Sequence, residues 1–363
     1  MSYCSRCGHE VKDGEAFCGA CGNRILPPAH PGNPIHENSS SGSFSFIETI
    51  NEYIGNTGNV NLNWKDLFVD VFKKHTDKEA ENIFICGTED TTPPLFEVSA
   101  TWPKPWLYSR VFLMFLTAFI LLYFCASFFQ NSNVIPGLIV VGAFTVPLTT
   151  MVLFLEVNAY RNISFYRIIK IFLVGGCASL VVTLFLFGIF GGGELDFVGA
   201  CAVGVIEETG KMIIVYVFLK HLKCKYILNG LLVGAAVGAG FAAFESSGYA
   251  FNNLLQVGWG GMMDNIFLRA LLAPGGHVTW AAISGGALIF AKGAGDLDFS
   301  VIMSGKFLRI FSLPIILHSV WDMPIDIGSE YNLIQILLTL AVWIIVLIFI
   351  NMGLDEVRKI KSV

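Results

Sequence analysis

From Trp106 to Asn351 the chain is a succession of apolar runs of roughly 20 residues, each long enough in helical form to cross a hydrocarbon core of about 30 Å. Eight such segments are predicted: 106–130, 134–157, 167–190, 197–219, 226–250, 274–292, 300–320 and 331–351. Hydrophobic residues make up 54% of the 363, charged residues only 14%, and there are 31 phenylalanines, a balance that excludes an ordinary soluble domain of this length. The net charge of −5 comes with no basic surface, so no nucleic-acid partner is expected. The N-terminal Met-Ser-Tyr-Cys is not a charged-then-apolar leader.

The short loops carry the orientation signal. Arg161, Arg167 and Lys170, then Lys220, Lys223 and Lys225, then Lys292, and finally Arg358, Lys359 and Lys361 all fall on the N-terminal side of an eight-span arrangement. The opposite loops carry Glu194, Asp196, Asp264, Asp322, Asp326 and Glu330, with Arg269 as their lone basic residue. Both termini are therefore expected in the cytoplasm of a multi-pass cell-membrane protein, with residues 352–363 as a cytoplasmic tail.

Ahead of the spans, Cys4-Ser-Arg-Cys7-Gly8 and Cys18-Gly-Ala-Cys21-Gly22 form two CxxC knuckles. Four thiolates at this spacing can converge tetrahedrally on zinc, and glycine behind each knuckle permits the turn that aims backbone N–H groups at sulfur. Residues 1–26 resemble the short zinc ribbons at the N-termini of many bacterial membrane proteins. Four cysteines leave zinc no open position, so this zinc is expected to be structural and to supply the folding energy of a segment too small for a core. Residues 27–47 read as a flexible linker from Pro, Gly and Ser content. Residues 48–100 read as a small cytoplasmic module: Leu62, Leu67, Phe68, Val71 and Phe72 have helical spacing, and Thr76-Asp-Lys-Glu reads as a second helix start. Pro93, Pro94, Pro103 and Pro105 close the module before the membrane domain, 106–351, begins.

The costliest residues are ionisable groups inside the spans. Glu207, Glu208 and Lys211 interrupt the run 197–219, and such groups cost several kcal/mol unless paired or wetted. With the first residue outside, Glu207 sits about 15 Å below the outer end. The opposite direction of 226–250 brings Glu245 to the outer half. His277 opens its span on that side, and His318 and Asp322 close theirs. Glu207 and Lys211 are i,i+4, as are His318 and Asp322, and Phe241 and Glu245, so each pair shares a helical face. Two neighbouring carboxylates with one ammonium suit proton transfer, and an imidazole oriented by a carboxylate suits oxyanion binding.

Glu207-Glu208-Thr-Gly-Lys211, Phe241-Ala-Ala-Phe-Glu245 and His318-Ser-Val-Trp-Asp322 resemble the EExxK, FxxxE and HxxxD motifs of the PrsW family of intramembrane proteases, relatives of the type II CAAX prenyl endopeptidases. The resemblance runs from about Pro147 to Asp322 and takes in Phe154-Leu-Glu156 and Arg269-Ala-Leu-Leu-Ala-Pro-Gly-Gly-His277. The CAAX relatives carry EExxxR and FxxxH, so Lys211 and Glu245 place the chain on the PrsW side and count against a prenyl-protein substrate. The implied fold class is an all-α polytopic membrane protein of about eight transmembrane helices with a small N-terminal zinc ribbon. The implied activity is hydrolysis of a peptide bond in a membrane-anchored protein near the outer face. Glu207 or Glu208 would act as base on a water with Lys211 tuning the pair, His318 oriented by Asp322 would stabilise the oxyanion, and Glu245 and His277 would bind the water or protonate the leaving amine. Glu, His and Asp could also hold a catalytic zinc, although no HExxH is present; the metal-free mechanism is the expected one. Two other classes stand beside the protease: a proton-coupled transporter, with Gly230, Gly234, Gly238, Gly240, Gly285 and Gly286 packing gating helices, and a non-catalytic sensor whose ribbon recruits a cytoplasmic protein partner. Proteolysis by the purified protein separates the first class from these; proton flux in liposomes identifies the second.

Overall fold

The computed structural model describes residues 2–3, 10–11, 46–58, 60–191 and 195–362. The chain divides into two compact units, Met1–Ser45 and Phe46–Val363. In the first, β1 (Ser2–Tyr3) pairs antiparallel with β2 (Glu10–Val11). Cys4, Cys7, Cys18 and Cys21, and residues 27–45 of the expected linker, lie outside the described residues.

The second unit begins with α1 (Phe46–Ile54), α2 (Asp66–Val69) and α3 (Asp77–Ile85). Helix α3 starts at the predicted place. The Thr76 hydroxyl accepts from Glu79 N and the Glu79 carboxylate accepts from Thr76 N at 2.7 Å, a reciprocal cap. The apolar spacing between Leu62 and Phe72 yields only the four residues of α2, with turns on either side. Leu67 O accepts from the Tyr108 hydroxyl (3.2 Å) and Lys73 O from Arg110 (3.0 Å). These contacts fasten the segment to the first turns of α4 (Leu107–Phe128).

Helix α4 is itself capped from a distance. Glu156, in the last turn of α5 (Ile135–Val157), accepts from Trp106 N, Leu107 N and Tyr108 N at 2.8, 2.9 and 2.9 Å. A carboxylate there satisfies donors that have no intrahelical partner and complements the helix dipole. The next apolar run is continuous from α6 (Phe165–Lys170) through a π-turn at Ile171–Gly175 into α7 (Gly176–Phe190). It is followed by α8 (Phe197–His221), started by Asp196 accepting from Gly199 N, and by α9 (Ile227–Gln256). Then come α10 (Trp259–Leu272), α11 (His277–Lys292), α12 (Phe299–Ile302), α13 (Gly305–Asp322) and α14 (Leu333–Lys361).

Helices occupy all eight predicted places. Among the described residues six are long and apolar enough to cross a membrane: Leu107–Phe128, Ser132–Val157, Phe165–Phe190, Ile227–Gln256, Trp259–Lys292 and Leu333–Lys361. The other two, α8 and α13, contain Glu207, Glu208 and Lys211, and Lys306, Arg309 and Asp322, the groups that lower their apolarity. The protein is a polytopic α-helical membrane protein. Two features depart from the sequence expectation. Helix α10 fills a stretch read as an outer loop, and α14 continues through ten residues of the expected tail, where Asp355 pairs with Arg358 and basic residues face the helix C-terminus.

Helix α9 is the axis. Its apolar window is 94% buried, against 11% for α4, which faces outward. Without a hydrophobic force between helices in lipid, close approach depends on small residues, and two such approaches set the site. A Cβ on Gly238 of α9 would collide with the His277 carbonyl, and one on Gly204 of α8 with the Ser319 hydroxyl of α13. The first glycine brings the start of α11 onto α9; the second lets α13 carry His318 against α8.

Candidate active site

Helix α8 presents Glu207, Glu208 and Lys211 on one inward face, all buried. Lys211 Nζ lies 2.6 Å from Glu208 Oε1 and 3.6 Å from Glu207 Oε2. It also lies 2.8 Å from His277 Nδ1 and stands over the Phe241 ring at 4.3 Å. An ammonium only donates, so His277 Nδ1 accepts and its Nε2 carries the hydrogen, directed at Glu245 Oε2 at 3.1 Å. Glu245 in turn pairs with Arg269 of α10, whose Nε donates to the Ser246 hydroxyl at 2.7 Å.

His318, 2% exposed, faces carboxylates on both ring nitrogens. Nδ1 lies 2.8 Å from Glu208 Oε1, and Nε2 lies 3.2 Å from Asp322 Oδ2 and 3.7 Å from Glu207 Oε2. Two carboxylate acceptors require a hydrogen on each nitrogen, which is the cationic imidazolium. Trp280 stacks on His318 at 4.4 Å and meets His277 edge-on at 5.1 Å, fixing both rings.

All seven candidates, Glu207, Glu208, Lys211, Glu245, His277, His318 and Asp322, therefore meet in one connected network from α8, α9, α11 and α13. Within it the two neighbouring glutamates differ. Glu208 Oε1 is held by Lys211 and His318 while its Oε2 is buried without a hydrogen bond; Glu207 Oε2 is likewise buried and unbonded, but Lys211, His318 and His277 surround it at 3.6, 3.7 and 4.0 Å. Glu207, His277 and His318 each offer a ligand atom, all within 4.8 Å of one another, so a divalent cation is compatible with this donor set.

Arg269 and Trp280 belong to the network and were not singled out in the sequence as functional. Trp280 had a signal: it lies one helical turn after His277 on the same face. Arg269 had two signals, as the lone base of the outer loops and as the first residue of the resembling stretch that ends at His277, but its partner depends on how α10 folds back. Glu156, part of the resembling segment, is far along the chain's other end of α5 and serves as the cap of α4.

A family model described as PrsW family intramembrane metalloprotease matches residues 164–352, just over half of the chain, and a zinc-ribbon domain model matches residues 3–25. Protease PrsW of Halalkalibacterium halodurans is 26% identical over 142 residues, which is 39% of this chain and 60% of that relative. No solved structure matches. The chain thus spans about 60% of the curated relative's length. The family-model match reaches from Ser164 to Met352 and contains every residue of the network, and on that match the chain belongs to the PrsW family.

Proposed function

We propose that this protein is a membrane-embedded endopeptidase that cleaves a membrane-anchored protein near the outer face, with Glu207 as general base. One observation carries the reading: two carboxylate oxygens of the network, Glu207 Oε2 and Glu208 Oε2, are buried without a hydrogen bond, and that of Glu207 is the one with Lys211 at 3.6 Å and His318 at 3.7 Å. Glu208, Glu245 and Asp322 are engaged by Lys211 and His318, by Arg269 and His277, and by His318. Glu207 would take a proton from a water placed between it and His318 as the water oxygen bonds the scissile carbonyl carbon. It would return that proton to the amide nitrogen as the C–N bond breaks, leaving an acid and an amine. The imidazolium Nε2–H, between Glu207 and Asp322, then faces the oxygen on which charge develops, and Lys211 keeps compensating charge beside the pair. Glu245 holds His277 in the tautomer whose Nδ1 receives Lys211, so these residues position the ammonium. The test is cleavage of a membrane-anchored reporter by purified protein in proteoliposomes. Turnover by wild type with loss in Glu207→Gln is expected; turnover equal to wild type in both Glu207→Gln and His318→Ala would sink the proposal.

A second reading rests on the three-donor set of Glu207, His277 and His318. These residues would hold the metal, and a zinc ion there would lower the pKa of a bound water and polarise the scissile carbonyl. The metal-free reading comes first because all four imidazole nitrogens already lie within 3.2 Å of protein partners. Activity abolished by chelation and restored by Zn²⁺ would replace it. We further infer that both termini are cytoplasmic, from the loop charges, and that Cys4, Cys7, Cys18 and Cys21 hold a structural zinc, supported by the zinc-ribbon match over 3–25.

A further inference from the structure

Helix α8 runs from the acids to a second polar place. From Glu207 to the helix end at His221 is about 21 Å at 1.5 Å per residue. There the connection into α9 and the segment entering α6 enclose a cavity of about 260 Å³, with Asn162, Arg167, Lys223, Lys225 and Asn229 on its walls. Three cations and no carboxylate line it. Arg167, Lys223 and Lys225 form no ion pair among the described residues. The other titratable wall residues are Cys224 and Tyr226; Cys224 is buried, and burial pushes its thiol up to about 12, so it is neutral.

The floor is fixed. Asn229, 1% exposed, donates to Asn158 Oδ1 at 3.0 Å and to Asn162 Oδ1 at 2.7 Å, while Asn162 donates back to Asn229 Oδ1 at 3.1 Å. The rim is a tight turn, closed by Lys223 N to Lys220 O (3.1 Å) and Cys224 N to Leu219 O (3.0 Å). Cations left unpaired around a rigid amide floor create a positive, concave field that a multiply charged oxyanion answers.

We propose that this cavity binds a phosphate group, carried by an anionic phospholipid headgroup or by a soluble phosphate compound. The lipid source has support in position. Tyr166 is exposed beside Arg167, an amphipathic ring of the kind found at headgroup level, and basic pockets between helices on the positively charged side of a membrane protein suit anionic headgroups. The occupant would brace the α8–α9 connection, and through α8 the helix that carries Glu207, Glu208 and Lys211.

The test uses full-length protein in an uncharged detergent. Native mass spectrometry follows retention of phosphatidylglycerol and phosphatidylcholine, and thermal shift follows inorganic phosphate. Wild type should retain one phosphatidylglycerol about a hundredfold more tightly than the combined Arg167→Gln, Lys223→Gln, Lys225→Gln variant, as three headgroup-level cations are lost. A Lys104→Gln, Lys359→Gln, Lys361→Gln control should match wild type. Phosphatidylglycerol retention without a phosphate response assigns the lipid headgroup; a thermal shift with phosphate alone assigns the soluble source. Equal retention by the triple variant and wild type, or neither lipid preference nor phosphate response in wild type, would overturn the proposal. Should the triple variant fail to fold, Lys223→Gln alone should weaken retention about fivefold, and an unchanged value would count against the site equally.

Discussion

Two adjacent glutamates on one helix meet different neighbours, and the proposed mechanism gives them different work. Glu208 is fully buried between Lys211 and His318, so Glu208→Gln removes one charge from a buried ionic set and should destabilise the fold by about 3–5 kcal/mol. Glu207→Gln breaks no hydrogen bond of Oε2 and should leave the melting temperature nearly unchanged while turnover falls by orders of magnitude, as for loss of a general base. Thermal denaturation and reporter cleavage, measured on both variants, separate the roles; loss of turnover with unaltered stability in Glu208→Gln would reverse the assignment. Arg269 acts one step further out, through Glu245 on His277. Arg269→Gln should cut turnover about 10- to 100-fold through misplacement of the His277–Lys211 pair, with Arg269→Lys recovering part of it because a cation still reaches Glu245.

At the scale of the element, the site depends on how closely helices approach. Gly238→Ala places a methyl group against the His277 carbonyl, so α9 and α11 must separate. That overpacking should cost about 2 kcal/mol, and because His277 is the residue displaced, turnover should fall more than stability implies. A Gly238→Ala protein with wild-type turnover would show that the α9–α11 contact does not set the geometry. Glu156 offers the converse. Its carboxylate accepts three backbone hydrogens at the start of α4, away from the acids, so Glu156→Ala should cost about 2–3 kcal/mol in stability yet leave turnover of the folded protein near wild type.

For the whole molecule, the loop charges make a directional statement. A cysteine at exposed Asp326 in an otherwise cysteine-free protein should react with an impermeant reagent on intact cells, and one at exposed Lys223 should not. The opposite pattern would put the network near the cytoplasmic face. Deleting residues 1–26 should remove about one equivalent of zinc and leave helicity and cleavage of a generic reporter intact. Cleavage lost with that zinc would tie the ribbon to catalysis.

The helical, membrane-embedded character of the protein was legible in the sequence, as were the seven ionisable residues that the fold brings together. Both follow from the same physics: a hydrocarbon solvent enforces long apolar runs and makes Glu207, Lys211, Glu245 or His318 inside them too costly to be incidental. The helical period also placed Thr76 at a helix start and Lys211 within reach of both glutamates, since those are contacts a few residues apart. Which glutamate oxygen the cations surround without bonding was not legible in the sequence, because it depends on His318 arriving from a helix 110 positions away. The same holds for Arg269, placed on Glu245 by a helix the loop composition concealed, and for the short α2, tied through Leu67 O to Tyr108 of α4. Local spacing fixes which groups share a face. Which groups meet across faces is settled by packing, here by glycines that let α9 close on α11 and α8 on α13.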